Sequence, residues 1–188
     1  MQILSIYIQN FRRLSKCHID FSNKTTLFVG ANNSGKTSAM DALGKFLSDR
    51  SFTFNDITIS NREKINMIGR FWESEECKEP ENLFEWENVI PIMDVWINVT
   101  NDEIHYVADI IPTLKWRGGK LGVRLALFPK DISKLFAEYR EAYFSARKTE
   151  QAKVEVNISL YPKDLCEFLE KNMNSYFSIK SFILNPAK

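Results

Sequence analysis

The chain has no apolar run long enough to span a bilayer and no charged leader followed by a short apolar stretch. Neither a membrane helix nor a secretory signal is expected, and a soluble, cytoplasmic protein is the expectation that follows. Cysteine is scarce. Cys17, Cys77 and Cys166 show no C-x-x-C pairing, which argues against a structural zinc site and for reduced thiols. Charge of one sign is also lacking, with 25 basic residues against 24 acidic and a net charge of +1. The whole-molecule field therefore favours neither nucleic acid nor an acidic partner, although a local DNA-binding patch is compatible with it. Internal repeats and low-complexity tracts are absent. Core material is plentiful: 188 residues, 44% hydrophobic and 13% aromatic, with 14 Phe. That suits one domain or one large piece of a domain and argues against disorder.

The stretch from Leu27 to Ser38, LFVGANNSGKTS, matches G-x-x-x-x-G-K-[ST] without a mismatch. Its setting is a short β-prone run, Thr26 to Val29, read as a strand, and an apolar-periodic stretch, Thr37 to Leu47, read as a helix. Consecutive backbone N–H groups in such a loop form a concavity for anionic oxygens, and the helix behind it adds its positive end. Gly30 and Gly35 permit backbone angles that a Cβ forbids. Asn32 and Asn33 tolerate a left-handed conformation best among non-glycine residues, and Ser34 completes the loop. Lys36 then reaches the β- and γ-phosphates as a point charge, the Thr37 hydroxyl sits on Mg²⁺, and Ser38 adds a hydroxyl to the α-phosphate. ATP and Mg²⁺ are the expected ligands. The competing reading is a glycine-rich strand-to-helix turn with a solvated lysine.

Around this loop the chain reads as alternating short elements. Met1 to Asn10 alternates as a strand, His18 to Phe21 reads as its antiparallel partner, and Ser22-Asn23-Lys24 as a turn. Ala39, Met40, Leu43, Phe46 and Leu47 should bury one helical face, with close packing at Gly44. Ser51 to Ser60 is irregular. Glu73 to Glu87 reads as an acidic loop anchored by Trp72, Phe84 and Trp86 rather than a paired-carboxylate site. Val89 to Val99 reads as a strand, with Pro91 suiting an edge. Its Asp94 imitates a Mg²⁺-holding aspartate but is followed by Val95, and is read as an ordinary strand residue. Thr100 to Glu103 starts a helix that Pro112 closes. Lys115 to Lys120 reads as a hairpin turn before a strand from Leu121 to Phe128, and its cluster of Lys115, Arg117, Lys120 and Arg124 beside Trp116 as hairpin solvation. Asp131 caps a helix containing Ile132, Leu135, Phe136, Tyr139, Tyr143 and Ala146. A polar linker (Arg147 to Lys153), a strand (Val154 to Leu160), a helix (Lys163 to Asn172) and a last strand (Tyr176 to Leu184) follow. His18 and His105 are isolated and read as structural.

An opening strand ending in IQNFRRL, a second strand ending in Asp20-Phe21, then a strand into GANNSGKT resembles the N-terminal half of ABC-type ATPase heads. Such heads occur in SMC, RecF-like and OLD-family (overcoming lysogenization defect) proteins. The resemblance implies an α/β P-loop NTPase fold with a mixed β-sheet and an antiparallel β-rich arm. It also makes Arg12 and Arg13 ATP-contact candidates, leaving open which points inward. The stretch from Asp94 to Val99, the Trp116-Arg117-Gly118-Gly119 segment and Phe128 to Asp131 look like the β-rich arm of OLD-family ATPases. Residues 1–188 are expected to be the N-terminal part of one ABC-type ATPase domain, divided into 1–50 (strands, P-loop and following helix), an irregular acidic segment 51–88, and 89–188 (β-rich arm and helices).

The resemblance also implies parts that the sequence lacks. A hydrolysing head needs an apolar strand ending in Asp-Glu, an L-S-G-G-like signature donated across a dimer, and a downstream histidine or equivalent. The nuclease of OLD proteins needs a Toprim glutamate and an Asp-x-Asp pair to hold divalent metal. None occurs here. The expectation is therefore the ATP-binding region of an OLD-like ATPase that regulates a DNA endonuclease in phage defence or DNA maintenance, inactive by itself. Its missing C-terminal half would come from the same chain or a partner, two heads would form a homodimer, and DNA would be met through the complete protein. Two alternatives stand beside it: an SMC- or RecF-like repair head, and a nucleotide-binding interaction module without turnover.

Overall fold

The computed structural model describes residues 1–74, 77, 79–80, 84–113, 115–152 and 161–184. The expected strand Val154 to Leu160 and part of the acidic segment after Glu73 lie outside them. Among the described residues five strands form one sheet in the order β2-β1-β3-β4-β5: β1 (Gln2–Phe11), β2 (Leu14–Asp20), β3 (Ile92–Val99), β4 (Gly119–Pro129) and β5 (Phe177–Leu184). Every pairing is antiparallel, where the resemblance implied a mixed sheet. The helices are α1 (Lys36–Gly44), α2 (Arg62–Glu73), α3 (Phe84–Glu87), α4 (Ile132–Ala152) and α5 (Leu165–Tyr176).

The period-2 alternation of β1 buries Ile6 and Ile8 completely, and the same sheet face carries Met93, Val95 and Ile97 from β3. The helices supply a second source of burial. Trp72 of α2 packs against Trp86, Phe136 and Tyr139, and Trp86 meets Phe177 edge-on. A smaller aromatic cluster lies nearer the phosphate loop: Phe11 at the end of β1, Phe46 just after α1, and Phe52, with Phe46 and Phe52 only 5.0 Å apart. It anchors the end of β1 to the far end of the helix that follows the loop.

Several elements depart from what the pattern suggests. The stretch Thr26 to Val29 is not in the sheet, and Leu27 and Val29 are 81% and 82% exposed. β-propensity becomes a strand only where a neighbour takes the backbone groups, and among the described residues none does. β3 is central rather than an edge: Pro91 precedes its first ladder position, so its missing N–H removes no ladder bond, and its carbonyl accepts from Leu127 N at 3.1 Å. Asn101 to Ile110 is a 3₁₀ helix kinked at Val107, not an α-helix, although the Thr100/Glu103 capping box is present. It lies between β3 and β4, so Lys115 to Lys120 is the end of a long connection and not a tight hairpin. The expected polar linker after Ala146 is instead helical through Ala152, because Ala, Arg, Lys, Glu and Gln are strong helix formers.

Helix α1 passes into a π-helical turn, Lys45–Asp49. Ala39, Ala42 and Phe46 are its buried residues, whereas Met40 and Leu47 are 53% and 43% exposed. Close packing at Gly44 is not found either: a Cβ there meets nothing within 4 Å, and φ is −59°. Gly44→Ala is therefore expected to stabilise the fold by about 0.4–1 kcal/mol, read as a raised urea midpoint at unchanged slope.

Candidate nucleotide site

The loop between Gly30 and Lys36 closes on itself. Lys36 Nζ donates to the carbonyls of Gly30 and Ala31, each at 2.7 Å, and to Ser34 Oγ at 3.3 Å. The two glycines differ, since Gly35 takes a positive φ that a side chain disfavours and Gly30, contrary to expectation, does not. A Cβ on Gly30 would stand 2.8 Å from Ser34 Oγ. Gly35, with φ +92°, is the N-cap of α1, and a Cβ there would meet Leu14 Cδ2 at 2.9 Å. Asn33 takes a left-handed φ of 72°, as its residue type allows.

These constraints leave a cavity of about 260 Å³ lined by Asn32, Asn33, Gly35, Lys36, Thr37 and Ser38, together with Arg13 from the β1–β2 turn. Its lining contains two cations and no carboxylate. At its floor is the start of α1, where the first N–H groups have no intrahelical acceptor. Gly35 provides no side-chain cap and the first turn has no acidic residue. The usual internal answers to a helix N-terminus, a capping oxygen or a nearby carboxylate, are both absent here, so the donors face the cavity for an external anion. The volume falls just below the range of about 300–1,000 Å³ usual for whole small-molecule pockets.

Most sequence candidates thus converge. Asn32, Asn33, Gly35, Lys36, Thr37 and Ser38 line one cavity, while Gly30 and Ser34 hold Lys36 through a carbonyl and a hydroxyl. The two arginines separate. Arg13 lines the cavity, whereas Arg12 turns away: its Nη1 pairs with Asp41 of α1 and its Nε donates to Asp56 Oδ1 at 2.9 Å. Burial lowers the Arg12 pKa, but bonds to Asp56 and Asp41 more than offset it, so the guanidinium ends above its ordinary value. Asp56 was not singled out from the sequence. Its signal is a capping box, Thr53-x-x-Asp56, inside a stretch otherwise read as irregular.

The chemistry of the donors fits Mg²⁺ as well as phosphate. Mg²⁺ keeps several waters and takes only one or two protein oxygens beside substrate phosphates, and Thr37 Oγ1 is such an oxygen. Among the described residues no group of three or more His, Cys, Asp or Glu could hold a metal by itself. Asp94 is elsewhere, accepting from Arg124 Nε and Nη2 at 2.7 and 2.8 Å across the β3–β4 pair. That bond also removes Arg124 from the basic cluster seen in the sequence, and Lys120 lies 4.4 Å from the Trp96 ring centroid.

A glycine-bounded loop feeding the bare N-terminus of a helix defines a P-loop nucleotide-binding domain. A family model described as AAA ATPase domain matches residues 1–187, and the chain belongs to that family. It is similar to the DNA replication and repair protein RecF of Glaesserella parasuis serovar 5, 35% identical over 81 residues that cover 41% of this chain and 22% of that protein. It is also similar to RecF of Marinobacter nauticus, 40% identical over 72 residues, or 37% of this chain and 19% of that one. The match spans about a fifth of the length of these curated relatives. A solved chain from work on the structural biochemistry of ATP-driven dimerization and DNA stimulated activation of SMC ATPases is similar at a TM-score of 0.38 and 18% identity, covering 78% of this chain and 80% of that one. No helix among the described residues is long and apolar enough to cross a membrane.

Proposed function

We propose that the chain is the Mg·ATP-binding region of an ABC-type ATPase head of the RecF/SMC kind, working on DNA as part of a larger assembly. The observation that carries this reading is the cationic, carboxylate-free cavity at the uncapped start of α1. In that role Lys36 exchanges the Gly30 and Ala31 carbonyls for β- and γ-phosphate oxygens, a trade of neutral acceptors for charged ones. The N–H groups of Lys36, Thr37 and Ser38 point at the phosphates, Ser38 Oγ serves the α-phosphate, and Arg13 closes the cavity from the β1–β2 turn. Thr37 Oγ1 would hold Mg²⁺, which neutralises phosphate charge where it develops.

The exposed Leu27 and Val29 support a head completed from elsewhere, by a further segment of the same protein or by a partner that pairs with the stretch before Gly30. Two such heads sandwiching nucleotide would place the hydrolytic groups across their interface. The similarity to RecF favours DNA repair as the setting. Coupling to an OLD-type endonuclease in phage defence is the second reading, resting on the likeness of Asp94 to Val99, Trp116-Arg117-Gly118-Gly119 and Phe128 to Asp131 to segments of OLD-family ATPases.

Titration of the pure chain with Mg·ATP, alongside a phosphate-release assay, tests the proposal. Weak binding without multiple turnover is the expected result. Steady turnover by this chain alone would show that the hydrolytic groups lie within it. Saturable binding of an unrelated ligand with none of Mg·ATP would leave the interaction-module reading.

A further inference from the structure

The turn from Asn10 to Leu14 is held in an unusual way. Asn10 and Arg12 both take positive φ, 57° and 49°, and for arginine this is a strained conformation that something must enforce. The enforcement comes from Thr53–Thr58. Arg12 N donates to Asp56 O at 2.8 Å, Thr58 N donates to Asn10 O at 3.1 Å, and Phe11 bridges to Ile57 between them. Side chains repeat the connection. Asp56, fully buried, accepts from Arg12 Nε at 2.9 Å, from Thr53 N at 2.8 Å and from Thr53 Oγ1 at 3.2 Å, and pairs with Lys45 Nζ at 3.1 Å.

The same turn abuts the phosphate loop with three consecutive residues. Arg12 reaches Asp41 on α1, Arg13 lines the cavity, and Leu14 packs where a Cβ of Gly35 would have been. Asp56 therefore ties the turn on one side and, through Lys45, the end of the loop's own helix on the other. A buried carboxylate that satisfies two cations on two elements fixes their relative position, because neither cation can leave without stranding charge. Arg13 has no ion pair of its own among the described residues and is exposed, so what brings it to the cavity is its backbone place in the turn, between Arg12 and Leu14.

The geometry points to Asp56 as a positioning residue for the nucleotide: it locks Arg12 against α1, and that lock aims the adjacent Arg13 at the phosphate cavity. Arg13, rather than Arg12, is the arginine that meets the ligand. The inference rests on the Mg·ATP reading above, and it adds a residue that touches no ligand itself. Asp41 takes part in the same lock from the helix side, with a half-exposed carboxylate that can be changed more gently.

A double-mutant cycle on the full chain separates positioning from general damage. Mg·ATP affinity is measured by titration calorimetry for wild type, Arg13→Ala, Asp56→Asn and the double variant, with near-UV circular dichroism confirming the folded state. Loss of the Arg13 contact is expected to weaken binding about tenfold, the low end for a charge-assisted bond at an exposed site. Asp56→Asn should weaken wild type by several fold yet change the Arg13→Ala protein by less than about twofold, because its effect passes through Arg13. Independent, multiplicative losses, or unchanged affinity in Arg13→Ala, would overturn the inference. Should Asp56→Asn fail to fold, Asp41→Asn runs the same cycle with the same two outcomes. If wild type and Lys36→Ala alike show no affinity, the nucleotide reading fails and this inference with it. Lys36-dependent binding with a multiplicative cycle sinks the positioning role alone.

Discussion

Replacing Lys36 by alanine is expected to weaken Mg·ATP binding about 10- to 150-fold, the worth of roughly 1.5–3 kcal/mol for a bond between an ammonium and a phosphate. The figure is a difference between two bonded states. Without nucleotide the ammonium already has the carbonyls of Gly30 and Ala31 and the hydroxyl of Ser34. Binding breaks those contacts, so the net gain is that of charged acceptors over neutral ones. The same arrangement says that the variant should still fold. Gly30 and Ala31 are exposed, so water replaces the lost donor at little cost. The readout is titration calorimetry beside a urea midpoint: affinity falls while the midpoint holds. Unchanged affinity would mean that the phosphates do not lie on this loop.

How much of this was legible in the sequence depends on the range of the interactions. The loop is legible because its shape rests on local backbone needs: Gly35 and Asn33 with positive φ, and a helix directly behind. All five strands are legible, β1 and β3 from their alternation, and Asp164 capping α5 is a local signal of the same kind. The strand read at Thr26 to Val29 failed because propensity cannot supply a neighbour. Helix α2 also carries a local signal: Ile65, Ile68, Gly69 and Trp72 fall at helical spacing, all buried. Gly69 there has a reason only the fold reveals, since a Cβ would stand 2.7 Å from Leu165 Cβ on α5. The division of labour between Arg12 and Arg13 was not in the sequence at all. It is decided by Asp56, which is 44 residues away from Arg12 and meets it only after the chain has folded.

Removing Asp56 as Asp56→Ala should destabilise the fold by about 1.5–3 kcal/mol, because the hydrogen bonds of Arg12 and Thr53 to a buried carboxylate are lost while Arg12 keeps Asp41 and Lys45 keeps the Ser51 carbonyl. Against a total of roughly 5–15 kcal/mol for a domain, that is a large fraction. The pH dependence distinguishes a charge effect from a lost contact. Burial pushes the Asp56 carboxyl up, but the Thr53 N–H, Lys45 and Arg12 outweigh it, and the group ends below its ordinary value of 3.8. A carboxyl depressed in the folded state contributes stability that is fully present above its unfolded pKa and is lost as pH falls through the folded one. The contribution should therefore be constant near neutrality and decline from about pH 5 downward. Subtracting the urea stability of Asp56→Asn from that of wild type at each pH cancels the other carboxylates and isolates this one. The difference should be widest at pH 7 and shrink in acid. A difference that stays flat down to pH 3 would mean that Asp56 holds the turn by shape and hydrogen bonding, and that its charge is not what keeps Arg12 and Lys45 in place.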